Sequence, residues 1–307
     1  MTKRIMADAI LLLITFVWGT TFVLVQDAIR IIPVFSFLAL RFSIAGLLML
    51  AISLSFKPWR KSLNRHLIFV GFLIGLWLFA GYAFQTIGLL YVSPATAGFI
   101  TGLSVVLVPL FSIFILKHKP PTFAWVGVSM ATIGLFLLTF GQPGSLNGGD
   151  FFELLCAIAF AMQIIAVGRY APHYPALPLA AIQILTVGML SSLVLIVTRT
   201  PLARPTTALE SPTVELALWI CIVFATVVAY FAQTSFQKFT TPTRTALIFS
   251  MEPVFAAIAA YVWTQQRLSA AAIIGCALIL FGMLVTEFGG QDHAITEATS
   301  EVSCPLK

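Results

Sequence analysis

The sequence falls into ten apolar segments, each close to the roughly 20 residues that a helix needs to cross the hydrocarbon layer of a bilayer. They cover residues 9–25, 35–56, 67–90, 95–116 and 123–140, then 152–167, 177–198, 214–236, 243–264 and 270–287. A lone strand cannot satisfy its backbone in lipid, so each segment reads as a helix. Breakers stand between them: Pro33, Pro58, Pro94, Pro120 with Pro121, Pro143, Pro175, Pro201 and Pro242. The fold class expected is therefore an all-α polytopic membrane protein with ten transmembrane helices. Only 9% of the residues are charged and 60% are hydrophobic, where a soluble domain carries about 25% charged residues. A water-soluble enzyme is excluded, and the short connections leave no room for a catalytic domain outside the membrane.

The net charge of +6 comes from basic residues placed mostly in the gaps between segments, so a nucleic-acid partner is a poor reading of it. The lipid bilayer is the expected partner. With the N-terminus inside, eleven Lys and Arg, among them Lys3, Arg4, Lys57, Arg60 and Lys61, fall on cytoplasmic flanks. Only Arg30, Arg199, Arg204 and Arg267 fall outside, which puts both termini in the cytoplasm. Lys3 and Arg4 before the first segment imitate a secretory leader, but no A-x-A-like site follows, so the segment reads as a retained span. Cys156, Cys221, Cys276 and Cys304 form no C-x-x-C pair and have no His at ligand spacing. No disulfide, metal or cofactor is expected.

The second half echoes the first. Gly81-Tyr82-Ala83-Phe84-Gln85-Thr86 matches Ala229-Tyr230-Phe231-Ala232-Gln233-Thr234 at an offset of 148, which also carries Pro94 onto Pro242, Gly127 onto Gly275 and Gly134 onto Gly282. Upstream an offset of 142 puts Pro33 on Pro175, Arg41 on Gln183 and Gly46 on Gly188. A loop insertion after the second segment accounts for the six-residue difference. With five spans in each copy, the second copy enters the membrane from the opposite side. The domain reading is thus one five-helix repeat over residues 1–140, a linker over 141–149, an inverted repeat over 150–288 and a disordered cytoplasmic tail over 289–307. Inverted repeats enclose a central site that opens to either side, the geometry of many secondary transporters.

Phe16-Val17-Trp18-Gly19, Leu40-Arg41-Phe42, Gly98-Phe99-Ile100-Thr101-Gly102-Leu103 with Pro109, and Met251-Glu252-Pro253-Val254 together resemble the drug/metabolite transporter superfamily, specifically its EamA-type members with ten transmembrane helices, over residues 5 to 288. Where many relatives have Glu before Arg after the ninth span, this chain has Gln266-Arg267, and the matching turn of the first half reads His118-Lys119. The resemblance implies a multi-pass inner-membrane protein that moves small metabolites, often amino acids, usually outward.

An ionisable group inside a bilayer is a functional candidate by default. Arg41 lies about two turns into the second segment; an anion-binding or gating role and a structural tie between helix ends both stay open. Glu252 lies near the middle of the ninth, beside a kink at Pro253, and can bind a cationic group, carry a proton or satisfy freed backbone. Its image is Ser104. Tyr82, Gln85 and Thr86 share one helical face, as do Tyr230, Gln233 and Thr234; with Arg41 and Gln183 they form two polar layers, proposed as outer and inner gates. Trp18 can stack on a solute, and Thr101, Ser104 and Gln163 can offer polar groups at mid-depth. The substrate-binding set expected is therefore Trp18, Arg41, Tyr82, Gln85, Thr101, Ser104, Gln163, Gln183, Tyr230, Gln233 and Glu252, lining a cavity for a small polar or amphipathic solute. The paired glycines read as helix-packing positions. No Walker loop is present, so movement must be driven by gradients or exchange. An integral membrane enzyme acting on a lipid-linked or apolar substrate is the alternative, but His66, His118, His173 and His293 are scattered and form no catalytic motif. Oligomeric state is open, a homodimer included.

Overall fold

The computed structural model describes residues 2–117, 120–139, 148–202, 206–264 and 269–302, and among these no strand occurs. Helices form where the apolar segments lie and end at the breakers. In the first half they are α1 (Thr2–Ile29), α2 (Val34–Ser55), a short α3 (Lys57–Ser62), α4 (Arg65–Gly88), α5 (Pro94–Gly102), α6 (Ser104–Ile115) and α7 (Thr122–Thr139). The second half holds α8 (Gly148–Tyr170), α9 (Ala176–Thr198), α10 (Pro212–Ile222), α11 (Ala229–Phe236), α12 (Pro242–Phe249), α13 (Glu252–Thr264) and α14 (Ala270–Val302). Local chemistry sets several starts: Asn64, Ser93 and Thr241 each accept a backbone N–H with the side chain, capping α4, α5 and α12. Pro33 and Pro175 stand just before α2 and α9, where a missing N–H costs nothing.

Three apolar segments are not the single helices that periodicity predicts. The fourth bends at Leu103, between α5 and α6, and the ninth is divided at Ser250-Met251, between α12 and α13. Between α10 and α11 the chain widens into a π-helix over Val223–Val228. Among the described residues, seven helical stretches are long and apolar enough to cross a membrane, and Thr122–Leu137 and Ala270–Thr286 are shorter apolar helices. The α14 helix continues past residue 287 to Val302. Residues 118–119, 141–147 and 265–268, which include His118-Lys119 and Gln266-Arg267, lie outside the described residues.

Contacts between the halves come in reciprocal pairs. A methyl group on Gly127 of α7 would meet the carbonyl oxygen of Gly282 on α14 at 2.6 Å, and one on Gly134 would meet that of Gly275 at 2.6 Å. Since 127 corresponds to 275 and 134 to 282, each contact is the image of the other, and α7 and α14 run antiparallel. The same holds for α2 and α9. Gly46 faces Leu185 and Gly188 faces Ser43, with Cβ positions 2.8 and 2.7 Å from their nearest atoms. The broken segments follow the same rule, α5 packing on α13 and its image α12 packing on α6. Close approach at glycine is how helices gain contact in lipid, where no hydrophobic force joins them. Large apolar side chains such as Phe69, Phe114 and Ile196 point outward and are 64%, 77% and 73% exposed. On a soluble protein such a surface would be an aggregation liability; here it suits a lipid-facing wall.

Candidate functional site

The π-helix is the hub of the site. The Ala225 carbonyl in this widened turn accepts hydrogen bonds from Trp18 Nε1 at 2.9 Å and from Arg41 Nη2 at 3.3 Å. Thr226 Oγ1 accepts from Arg41 Nε at 2.8 Å and donates to the Cys221 carbonyl at 2.7 Å. Single π turns inside α-helices are frequent at functional sites because they expose such groups. The Arg41 guanidinium also lies 4.7 Å from the ring centre of Phe42 and 5.0 Å from that of Tyr82, within cation–π range. Arg41 is thus held by a carbonyl, a hydroxyl and two aromatic faces, which satisfies the burial of its charge.

Four aromatic rings surround the centre. Tyr230 Oη donates to Tyr82 Oη at 2.8 Å. Trp18 lies 5.4 Å from Tyr230, and Phe160 lies 5.4 Å from Tyr82. Trp18 and Phe160 are related by the 142-residue offset, and the tyrosines by the 148-residue offset, so these two contacts are again images of one another. A residue touching its own image sits on the axis that relates the halves, and the tyrosine pair marks it.

This axis passes through a cavity between α1, α2, α4, α5, α6, α8, α11, α12 and α13. The cavity encloses about 750 Å³ of atom-free space, part of it open, with about 60 Å³ in which the centre of a water-sized molecule can lie. One water needs roughly 10–15 Å³ on that measure, so the site has room for a few waters or a small solute. Ten of the eleven residues expected from the sequence line it: Trp18, Arg41, Tyr82, Gln85, Thr101, Ser104, Gln163, Tyr230, Gln233 and Glu252. Arg41 and Glu252 therefore face one cavity, which spacing along the chain does not reveal. Ser104 and Glu252, the images of each other, each begin the second piece of a bent segment, at α6 and α13. Discontinuous helices at a central site recur in secondary transporters.

Gln183 is the exception. It lies in the seam between α4 and α9 with its amide nitrogen donating to its own helix, at the Leu179 carbonyl, 3.3 Å away. Its image Arg41 has the length to cross to the π-helix, and the shorter amide does not. The two polar layers read as separate gates also meet: Tyr82 and Tyr230 form one central contact rather than two distant ones. Below it Gln233 Nε2 donates to Gln163 Oε1 at 3.2 Å and to Gln237 Oε1 at 3.1 Å, tying α8 to α11 and the turn that follows it. Gly19 admits a helix, since a methyl there would lie 2.5 Å from the Glu252 carbonyl oxygen of α13. Near the first turns of α1 and α12, Arg244 makes a two-pronged ion pair with Asp8 at 2.6 and 3.1 Å.

Two groups escape the sequence reading. The π-helix has no signal in residue pattern. Glu153 has one: it is an acidic residue in an apolar segment. Because the segment reads as starting at 152, Glu153 looks interfacial, yet α8 begins at Gly148 and Glu153 is fully buried. Its Oε2 accepts from Thr101 Oγ1 at 3.1 Å.

A family model described as the EamA-like transporter family matches residues 5–140 and 147–288 of this chain. An uncharacterized transporter of Archaeoglobus fulgidus is 33% identical over 283 residues, spanning 92% of this chain and 86% of that protein. A solved crystal structure of a protein at 21% identity superposes with a TM-score of 0.75, covering 94% of this chain and 99% of the other. At that identity the likeness speaks for the fold alone.

Proposed function

This chain belongs to the EamA-like transporter family, and on that premise we propose that it is a secondary transporter of small amphipathic metabolites such as amino acids, working by alternating access in a bacterial-type inner membrane. Ten spans in two inverted repeats, with both termini cytoplasmic, accommodate the reciprocal contacts and the distribution of basic residues. The reading rests on one observation above the rest: the cavity lies on the axis relating the two halves, with Tyr82 bonded to its own image Tyr230. A site on such an axis is equivalent from either side, so rocking one repeat against the other opens it alternately.

The lining gives the substrate class. Four rings and several apolar side chains favour an apolar body, while Glu252 offers a counter-charge to an ammonium and Arg41 to a carboxylate. A zwitterion suits both. The direction of movement read from the family resemblance is outward.

Uptake and exchange of labelled amino acids, nucleosides and cationic drugs by the purified chain in liposomes tests this. Saturable uptake with counter-transport is expected, reduced at least tenfold in Glu252→Gln and Arg41→Gln. Unsaturable conduction would point to a channel, and unchanged uptake in both variants would end the two-charge account of binding.

A further inference from the structure

Glu153 is not among the residues that line the cavity, but it touches one that does, Thr101. Its side chain is fully buried, Oε2 accepts from the Thr101 hydroxyl, and Oε1 has no hydrogen-bond partner. Among the described residues no Lys, Arg or His lies within ion-pairing distance of it. The groups that face it carry the same sign or none: Asp150 and Cys156 on its own helix, Glu252 from α13, Thr101 from α5 and Gly88 from α4. Room for the carboxyl exists because position 88 is glycine; a methyl there would lie 2.6 Å from Oε1.

A carboxylate placed in an apolar interior without a counter-charge is costly, so the site calls for a cation. A metal ion needs several oxygen ligands, and no group of three acidic, His or Cys side chains surrounds the carboxyl among the described residues. A proton is the cation that fits. Thr101 supplies the path, since it lines the cavity and its hydroxyl touches both Glu153 and Cys156. It passes its hydrogen to Oε2 and takes one from cavity water, so the cavity loses one proton and Glu153 gains it. The repeat image of Glu153 at the 142-residue offset is Leu11, which carries no proton, so the repeat does not duplicate this site.

We propose that Glu153, reached through Thr101, is the proton-binding residue that couples solute movement to proton movement in this carrier. The proposal rests on the transport reading above and gives it an energy source.

The purified full-length chain in liposomes loaded with a pH-sensitive dye, offered labelled L-leucine and L-phenylalanine, tests it. In the wild-type chain, solute addition shifts the dye signal and an imposed pH gradient drives accumulation. In Glu153→Gln, exchange of labelled for unlabelled solute at equal pH stays within threefold of wild type, whereas gradient-driven accumulation and the dye response fall at least tenfold. Glu153→Asp retains part of the dye response. Gradient-driven accumulation at wild-type level in Glu153→Gln overturns the proposal. So does a wild-type chain that exchanges solute without moving protons, a measurement that needs no variant to fold. Absence of exchange of every solute by the wild-type chain overturns the transport reading itself, and coupling with it.

Discussion

Tyr230 donates its hydroxyl hydrogen to Tyr82 at 2.8 Å, and the two residues are 148 positions apart, the offset that superposes the third to fifth segments on the eighth to tenth. Removing one hydroxyl leaves the other without its partner. In a double-mutant cycle of Tyr82→Phe and Tyr230→Phe, thermal unfolding in detergent should give a coupling energy of about 0.6 kcal/mol, with an upper bound near 1.7, the range for hydrogen bonds between helices in membranes. Zero coupling would remove this contact from the account of how the halves are joined.

Arg41 serves two roles that substitution can separate. Lysine keeps the positive charge but loses the planar fork that reaches Thr226 and the Ala225 carbonyl together. Arg41→Lys should therefore lower stability by about 1–2 kcal/mol while leaving the KM for solute within threefold. Arg41→Gln should lose the same stability and also raise KM at least tenfold. Equal transport kinetics for the two variants would mean that the guanidinium only braces the π-helix.

The glycines of α7 and α14 permit backbone contact that no side chain allows. Gly134→Ala places a methyl 2.6 Å from the Gly275 carbonyl oxygen, a backbone atom that cannot swing away. Overpacking of this kind costs about 1–3 kcal/mol. Gly148→Ala, with nothing within 4 Å of the new methyl, is the control and should be silent. A Gly134→Ala protein as stable as Gly148→Ala in thermal unfolding would contradict the packing described.

Asp8 of α1 and Arg244 of α12 form an ion pair with side chains only 12% and 4% exposed. Breaking a buried ion pair by removing one partner costs about 3–5 kcal/mol. Asp8→Asn should lower stability by that order and increase labelling of cysteines introduced near residue 244. Asp8→Arg combined with Arg244→Asp should restore part of the loss. Labelling that does not change in Asp8→Asn would show that the pair does not restrict access to this region.

Much of the molecule can be read from residue order. Segment length, proline spacing and the 142- and 148-residue offsets mark out most of the helices, and ten of the eleven residues expected at the site do line the cavity, because each of these is a regularity along one dimension. The exception, Gln183, shows where such reasoning stops. Correspondence between repeats assigns it the part of Arg41, but whether a side chain crosses to a neighbouring helix depends on its length and on what lies opposite.

What only tertiary structure decided is which faces meet. Sequence determined that Tyr82 and Tyr230 are equivalent; folding decided that they touch, since antiparallel packing of the repeats brings the axis through that point. Sequence held an acidic residue at 153, but its burial follows from α8 starting four residues earlier than the apolar run and from the space left by Gly88 on another helix. The π-helix and the Asp8–Arg244 pair have the same origin. Each is satisfied by partners about 180 to 240 positions away, and no local pattern records energy that exists only once distant segments are in contact.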